Sequence, residues 1–210
     1  MDKTQFDALL KQLCFPKKNT PEIIDIPPLA YAMTDGEGDP NTSAQFEQAV
    51  GALYAMSYGI KMLPKKGIVP EGYFEYKVSS LEGLWDTKDG GAYDHHRKDN
   101  LRWRLMIMQP PFVTQALFED VREMQRKKKG DILDTVRFET YHEALCCQML
   151  HTGPFDDEPS TFEKMHAYLG GEGYERAEYR HHEIYMSDFR RTAPEKLKTV
   201  LRVRIKKSSG

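Results

Sequence analysis

The sequence predicts an α+β fold, in which duplicated strand-helix-strand-strand units form a curved antiparallel sheet with helices on one face and a central ligand cleft. Three short segments of the first half recur in the same order in the second half, which indicates an internal duplication. Clefts between two similar modules are common ligand sites. The matching pairs are Phe46-Glu47 with Phe162-Glu163, Glu75 with Glu183, and residues 101–105 with 201–205.

The first half alternates between helical and strand-like patterns. Apolar residues at helical spacing predict helices, and strict alternation of apolar and polar residues predicts strands. Prolines between residues 16 and 28 favour extended chain there. The predicted elements are, in order, a helix at 4–14, a strand at 29–33, a helix from Thr42 or Ser43 to about residue 60, strands at 73–79 and 101–108, and a linking helix at about 113–128.

The second half repeats this order. Its first strand is read as one long strand or as two strands joined by a bulge, and Gly170 to Gly173 end its helix. The predicted elements are strand at 136–150, helix from Ser160 or Thr161 to about residue 169, and strands at 179–187 and 200–205. The predicted domains are an N-terminal helix and extended segment at 1–24 and a ligand-binding domain at 25–206, with pseudo-repeats at about 27–110 and 136–206.

Composition excludes several classes of protein. The 210 residues carry 30 basic and 32 acidic side chains, so the net charge of −2 gives no footprint for nucleic acid. No apolar stretch is long enough to span a membrane, and residues 1–4 lack the pattern of a signal peptide. The cysteine count of three, with Cys146 next to Cys147, is not a disulfide framework. We therefore expect a cytoplasmic protein that binds neither nucleic acid nor membrane.

Three candidate motifs, for a dinucleotide site, a metal site and a nucleophilic cysteine, are not supported by their sequence context. Gly36 and Gly38 lack the third glycine of a dinucleotide site and indicate a turn. The adjacent pairs His95-His96 and His181-His182 point to opposite faces of a strand, so no metal is expected. Cys146-Cys147 lies in an apolar strand and favours packing over nucleophilic chemistry. No metal and no organic cofactor is therefore predicted.

One strand carries the candidate chemistry. Because side chains alternate along a strand, Glu183 and Tyr185 share one face. The other face takes His182, Ile184 and Met186, which suits a core under the helices. Glu183 and Tyr185 are therefore the candidate catalytic residues, facing a cleft on the helix-free side of the sheet. The alternative is an ordinary solvated glutamate on a surface strand.

Aromatic residues are abundant enough to line such a cleft. The chain has 2 tryptophans, 11 tyrosines and 10 phenylalanines. Aromatic walls around a carboxylate suit a flat or cationic ligand through stacking and cation–π attraction. Trp85 follows a loop-like segment, and Trp103 lies in a predicted strand where a place in the core is as well supported. The candidate ligand-binding aromatics are Tyr31, Tyr54, Trp85, Trp103 and Phe155.

With these residues the sequence resembles the GyrI-like (gyrase-inhibitor-like) small-molecule-binding family. The matching segments are residues 29–31, His-Thr-Gly-Pro-Phe-Asp-Asp-Glu at 151–158, the helix from Thr161, and His-Glu-Ile-Tyr-Met-Ser-Asp at 182–188. The resemblance implies the duplicated fold and a central hydrophobic pocket with an acidic residue at its floor, to which Glu183 corresponds. About 25 residues precede the first strand, too few for the helix-turn-helix module of the family's regulators.

Two further segments, residues 79–85 and 103–110, look like a stand-alone branch of this family. That branch includes cyclopropanoid cyclopropyl hydrolases. The resemblance implies a hydrolase that opens the cyclopropane of flat DNA-alkylating xenobiotics in an aromatic-lined pocket, a detoxification. The alternative is a non-catalytic binding protein that sequesters or senses hydrophobic or cationic small molecules. A protein-interaction module is a third reading. The expected partner is a planar aromatic or cationic small molecule.

Overall fold

Strands from both halves of the chain form one antiparallel sheet in the computed structural model, which describes residues 1–16, 19–91 and 97–208. The His95-His96 pair considered above lies outside the described residues. The helices are α1 (Lys3–Cys14), α2 (Ala44–Lys61), α3 (Gln115–Lys129) and α4 (Glu158–Glu172). The strands are β1 (Glu22–Ile26), β2 (Leu29–Glu37), β3 (Leu81–Thr87), β4 (Leu101–Met108), β5 (Arg137–Tyr141), β6 (Ala144–Thr152), β7 (Tyr174–Arg176), β8 (His181–Tyr185) and β9 (Lys198–Lys207).

The order of the strands confirms the duplication. The sheet runs β1-β6-β9-β8-β3-β4-β2-β5, and β7 pairs with β9. β2-α2-β3-β4 and β6-α4-β8-β9 are two strand-helix-strand-strand units that meet where β3 pairs with β8. In the described residues, no helix is both long and apolar enough to cross a membrane.

Short connections force the sheet to curve. Only Pro27 and Pro28 separate β1 from β2, yet these strands are first and seventh in the sheet order. In a flat sheet they would lie about 29 Å apart at about 4.8 Å per strand, whereas three Cα steps span at most about 11 Å. The same geometry recurs between β5 and β6, where Ala144 has a positive φ of 62°. The sheet therefore curls, and its two edges are drawn toward each other.

The core lies on both faces of this sheet. Leu53 and Met56 of α2 pack with Leu105 of β4 in one cluster. Met165 of α4 packs with Leu201 of β9 on the same side of the sheet. The helices of both units thus share one face, as the duplicated pattern predicts. α1 covers the opposite face, where its apolar residues join those of β2, β4 and β8.

A buried charge network holds α1 to that opposite face. Arg202 donates to Glu143 at 3.0 Å and to the carbonyl oxygen of Leu13 in α1. His182 Nδ1 lies 2.9 Å from Glu143, and its Nε2 lies 2.9 Å from Glu82. Burial alone would raise the pKa of Glu143, but the charges of His182 and Arg202 lower it to about 2. Burial would lower the pKa of His182, but Glu143 raises it to about 9. At neutral pH Glu143 is therefore ionised and His182 is protonated.

One predicted strand is wrong. Residues 73–79 alternate as predicted but form no strand, and Glu75 is exposed outside the sheet. The paired strand is β3, which follows at once and which the sequence analysis took for a loop. β3 lies between β4 and β8 with both faces buried, so its residues do not alternate. The proposed match of Glu75 with Glu183 therefore does not hold.

Candidate functional site

A cavity of about 130 Å³ opens beside the meeting point of the two units. Its apolar wall is aromatic, and three ionisable side chains, Glu158, His181 and Glu183, lie deep inside it. Lys98 and Asp156 stand at its rim, joined by an ion pair of 3.2 Å. The aromatic side chains in the wall are Phe46, Trp85, Phe155, Tyr185 and Phe189.

Alternate residues of β8 form the polar floor of this cavity. His181, Glu183 and Tyr185 are alternate residues of β8, and all three side chains line the cavity. Gly83 of β3 pairs with Glu183 across the seam between the units. A Cβ atom on Gly83 would lie 2.8 Å from Trp85 Nε1 and 3.2 Å from the Tyr185 hydroxyl. The glycine thus leaves the space in which these two rings meet.

A chain of hydrogen bonds ends on Glu183. Trp85 Nε1 donates to the Tyr185 hydroxyl oxygen at 2.9 Å, which leaves the hydroxyl proton free to serve another acceptor. Burial, then the charge of Glu183 and a hydrogen bond to it, raise the pKa of Tyr185, so the phenol stays protonated. His181 Nε2 lies 2.9 Å from Glu183 Oε1. Glu183 is therefore a buried carboxyl surrounded by donors.

Glu158 is a second buried carboxyl in the same cavity. It is the first residue of α4, its exposed fraction is 6%, and its Oε1 has no hydrogen-bond partner. Burial and then the charge of Glu183 raise its pKa well above the ordinary value. A helix N-terminus favours a negative charge by only about 0.3–1 kcal/mol, less than the several kcal/mol needed to bury an unpaired carboxylate. Burial and the neighbouring charge therefore favour the neutral form of Glu158.

Glu158, His181 and Glu183 also bear on metal binding. Within the described ranges, each offers one donor atom, and these atoms lie within 4.8 Å of one another, close enough to hold a metal ion. The opposite directions of adjacent histidines do not exclude this set of donors, because the set combines a residue of α4 with two of β8. Protonation of Glu158 would also reduce the repulsion between the two carboxyls.

The cavity lies on the face opposite to the one expected. Glu183 and Tyr185 do share a face, but it is the face that carries α2 and α4. His182 and Ile184 face α1 instead, with His182 in the buried charge network. The predicted face is wrong because alternation along β8 does not show that α1 covers the other side of the sheet.

The predicted ligand-binding aromatics separate into two groups. Trp85 and Phe155 line the cavity with Glu183 and Tyr185. Trp103 is only 1% exposed and packs edge-to-face under Phe46, with ring centroids 5.2 Å apart. Its ring lies over Gly36 of β2, where a Cβ atom would be 2.1 Å away. Trp103 is therefore core, and Gly36 belongs to a strand rather than to a turn.

The two tyrosines among the predicted ligand-binding aromatics, Tyr31 and Tyr54, do not line the cavity. Tyr31 is 2% exposed and packs on the α1 side, because its neighbour Ala32 takes the α2 side of β2. Tyr54 is half-buried on α2 beside Tyr58, outside the cavity lining. The cavity residues that were not predicted include Phe46, Glu158, His181 and Phe189. The place of Phe46 could have been predicted, because the residue lies near the start of a helix that recurs in both halves. Nothing in the sequence distinguishes Glu158 as a cavity residue from the neighbouring Asp156 and Asp157.

Comparison with known proteins decides the family. The profile of the GyrI-like small molecule binding domain matches residues 19–206. The chain belongs to the GyrI-like family. An uncharacterized conserved protein from Listeria innocua is 38% identical, with a TM-score of 0.87, over 96% of this chain and 98% of its own. A hydrolase from Listeria innocua is 33% identical, with a TM-score of 0.85, over 98% of this chain and 100% of its own.

A more distant solved structure shares the fold alone. The EcmrR C-terminal domain is 10% identical, with a TM-score of 0.52, over 90% of this chain and 98% of its own. No curated protein sequence matches the chain. Membership of the GyrI-like family makes this a small-molecule-binding domain, and the cavity is its candidate ligand site.

We expect Trp85→Phe to weaken ligand binding by about 2- to 13-fold. Phe is smaller and cannot donate to Tyr185, and one aromatic contact is worth about 0.5–1.5 kcal/mol. Trp85 is 7% exposed, so it is less open than a cleft wall was expected to be, and the variant should also lose some stability. Trp103→Phe is the control, because it alters core packing without touching the cavity. Equal affinity losses in both variants, measured by titration calorimetry, would contradict the assignment.

Proposed function

We propose that this protein is a hydrolase that opens the cyclopropane of flat, DNA-alkylating xenobiotics within the aromatic cavity. The observation that carries the proposal is a carboxylate, Glu183, buried among aromatic rings and fixed by hydrogen-bond donors on neighbouring residues. The 33% identical Listeria protein described as a hydrolase supports an enzymatic reading. Removal of such electrophiles would protect DNA, so the cellular role is detoxification in the cytoplasm.

The chemistry requires one base and a positioned substrate. In a cyclopropane joined to a dienone, the oxygen of a water molecule bonds to the methylene carbon as a C–C bond of the small ring breaks. The electron pair of that bond enters the dienone ring, which becomes a phenolate. One proton of the water passes to Glu183. Solvent protonates the phenolate and Glu183 returns its proton to solvent, so the net change is addition of one water.

The remaining groups position the reactants. Trp85, Phe46 and Phe155 present ring faces and edges to a planar substrate, which holds the reactive carbon near the base. Tyr185 takes a hydrogen bond from Trp85, so its own proton serves Glu183. Its role is to orient Glu183.

A non-catalytic binding protein is the second candidate. The observation that favours it is the family itself, a small-molecule-binding domain, together with a carboxylate set among aromatic rings, which attracts cations. Such a protein would use the same cavity without turnover.

The product distinguishes these two functions. The purified protein is incubated with a spirocyclopropyl dienone, and the mixture is analysed by mass spectrometry. A hydrolase gives a product heavier by one water, at a rate above that of the buffer and of heat-inactivated protein. Recovery of the unchanged compound, bound to the protein, would support the binding protein instead.

A further inference from the structure

Two buried carboxyls face the same cavity with few groups to balance them. The exposed fractions of Glu158 and Glu183 are 6% and 7%, and their donor atoms lie within 4.8 Å of each other. Two negative charges this close in a buried site are not stable together, so the pair must hold a proton. Aspartic proteases solve the same problem by sharing one proton between two carboxyls.

The surroundings of the two carboxyls are unequal. Glu183 has His181 at 2.9 Å, and the Tyr185 side chain lies beside it on the same face of β8. Glu158 Oε1 is buried with no donor, and the nearby Asp156 adds a further negative charge. Donors stabilise an ionised carboxylate, whereas burial without donors stabilises the neutral acid. The difference places the proton on Glu158.

We propose that Glu158 and Glu183 form an acid pair with a single proton on Glu158, and that Glu158 is a positioning residue which donates that proton in a hydrogen bond to Glu183. The catalytic part of the inference rests on the proposed hydrolase function. The hydrogen bond directs one carboxylate oxygen of Glu183 toward the cavity, where it can take a proton from water. Glu158 acts through Glu183 and contributes no atom to the product.

The first test compares two substitutions of Glu158. Glu158→Ala removes the hydrogen bond, and we expect kcat to fall by about 10- to 100-fold, the worth of a hydrogen bond to a charged group. Glu158→Gln retains an N–H donor, so it should recover most of that loss and remain within about tenfold of the wild type. Glu163→Gln, on the exposed face of α4, is the matched control. Equal damage from Ala and Gln would overturn the proposal.

The dependence of kcat on pH distinguishes the proposed role of Glu158 from a purely structural one. When Glu158 ionises at high pH, the wild type loses the hydrogen bond and its kcat falls. Glu158→Gln cannot ionise, so this alkaline fall should be absent or shifted upward. The other titratable groups that face Glu158 are Asp156, His181, Glu183 and Tyr185, with Lys98 at the rim, and all are unchanged in the variant. An identical alkaline fall in both proteins would overturn the proposal.

Infrared spectroscopy tests the proton without any turnover. A protonated carboxyl has a carbonyl stretch separate from that of a carboxylate. At neutral pH this band should be present in the wild type and in Glu183→Gln, and lost in Glu158→Gln. Absence of the band from the wild type would overturn the placement of the proton. If the band behaves as expected but no substrate is opened, the proposed hydrolase function fails while the acid pair stands.

Discussion

Glu183→Gln should lower kcat for cyclopropane opening by roughly 10²–10⁴-fold, the usual contribution of general acid–base catalysis. Gln keeps the size of Glu and can still accept a hydrogen bond, but it cannot take a proton from water. Affinity for a neutral substrate should change little, because the rings of Trp85 and its neighbours form most of the contact surface. Steady-state kinetics with product detection by mass spectrometry measures both quantities.

The companion variants separate the possible roles of Glu183. Tyr185→Phe loses only the hydroxyl and should give a smaller fall in kcat, because Glu183 remains but is less well oriented. Glu163→Gln on the surface of α4 should match the wild type. A normal rate in both Glu183→Gln and Tyr185→Phe would mean that positioning among the aromatic rings carries the reaction. Selective loss of cationic ligands in Glu183→Gln would instead support the binding protein.

Arg202→Met should lower the free energy of unfolding by about 3–5 kcal/mol, the usual effect of removing one partner from a buried ion pair. Arg202 is 1% exposed and contacts Glu143, Gln148 and the end of α1. The substitution leaves Glu143 buried with His182 as its remaining charged partner. Urea unfolding monitored by circular dichroism gives the free energy.

A neighbouring arginine provides the control for this prediction. Arg204 lies on the same strand, but its side chain is 42% exposed. Its ion pair with Glu178, at 3.6 Å, is therefore largely in solvent. Arg204→Met should therefore change the free energy of unfolding by no more than about 1 kcal/mol. Adding Glu143→Gln to Arg202→Met should recover part of the loss, because it removes a buried charge that has lost one of its two charged partners. Equal small effects of the two arginine substitutions would contradict the view that this network anchors α1.

The duplicated fold could be predicted because each unit carries its own local signals. Ser43 caps helix α2 by accepting from the Phe46 N–H, as predicted, whereas α4 begins at Glu158, ahead of the predicted start at Ser160 or Thr161. Strand β3 could not be predicted in the same way, since burial of both faces removes the alternation that marks a strand. The alternating residues 73–79 gave a false strand for the converse reason: alternation shows burial of one side, not pairing.

The candidate site shows the same limit. The two-residue period of β8 is enough to place Glu183 beside Tyr185. Which face they occupy depends on α1, far away in sequence, and Glu158 reaches the cavity only because α4 begins beside β8. Trp103 and Tyr31 depend on strand register, which composition does not reveal. Local patterns predict neighbours on one element, whereas contacts between elements require the fold.

The central claim is that the cavity between Trp85, Glu158 and Glu183 is where ligand binds and reacts. A crystal structure of Glu183→Gln with a spirocyclopropyl dienone tests this claim most directly, because the slow variant preserves the substrate. We expect the planar ring system against Trp85 and Phe155, with the cyclopropane methylene carbon about 5–6 Å from the residue-183 side chain, which leaves room for one attacking water between them. Density for the compound on the α1 face or on the outer surface, with this cavity empty, would contradict the account.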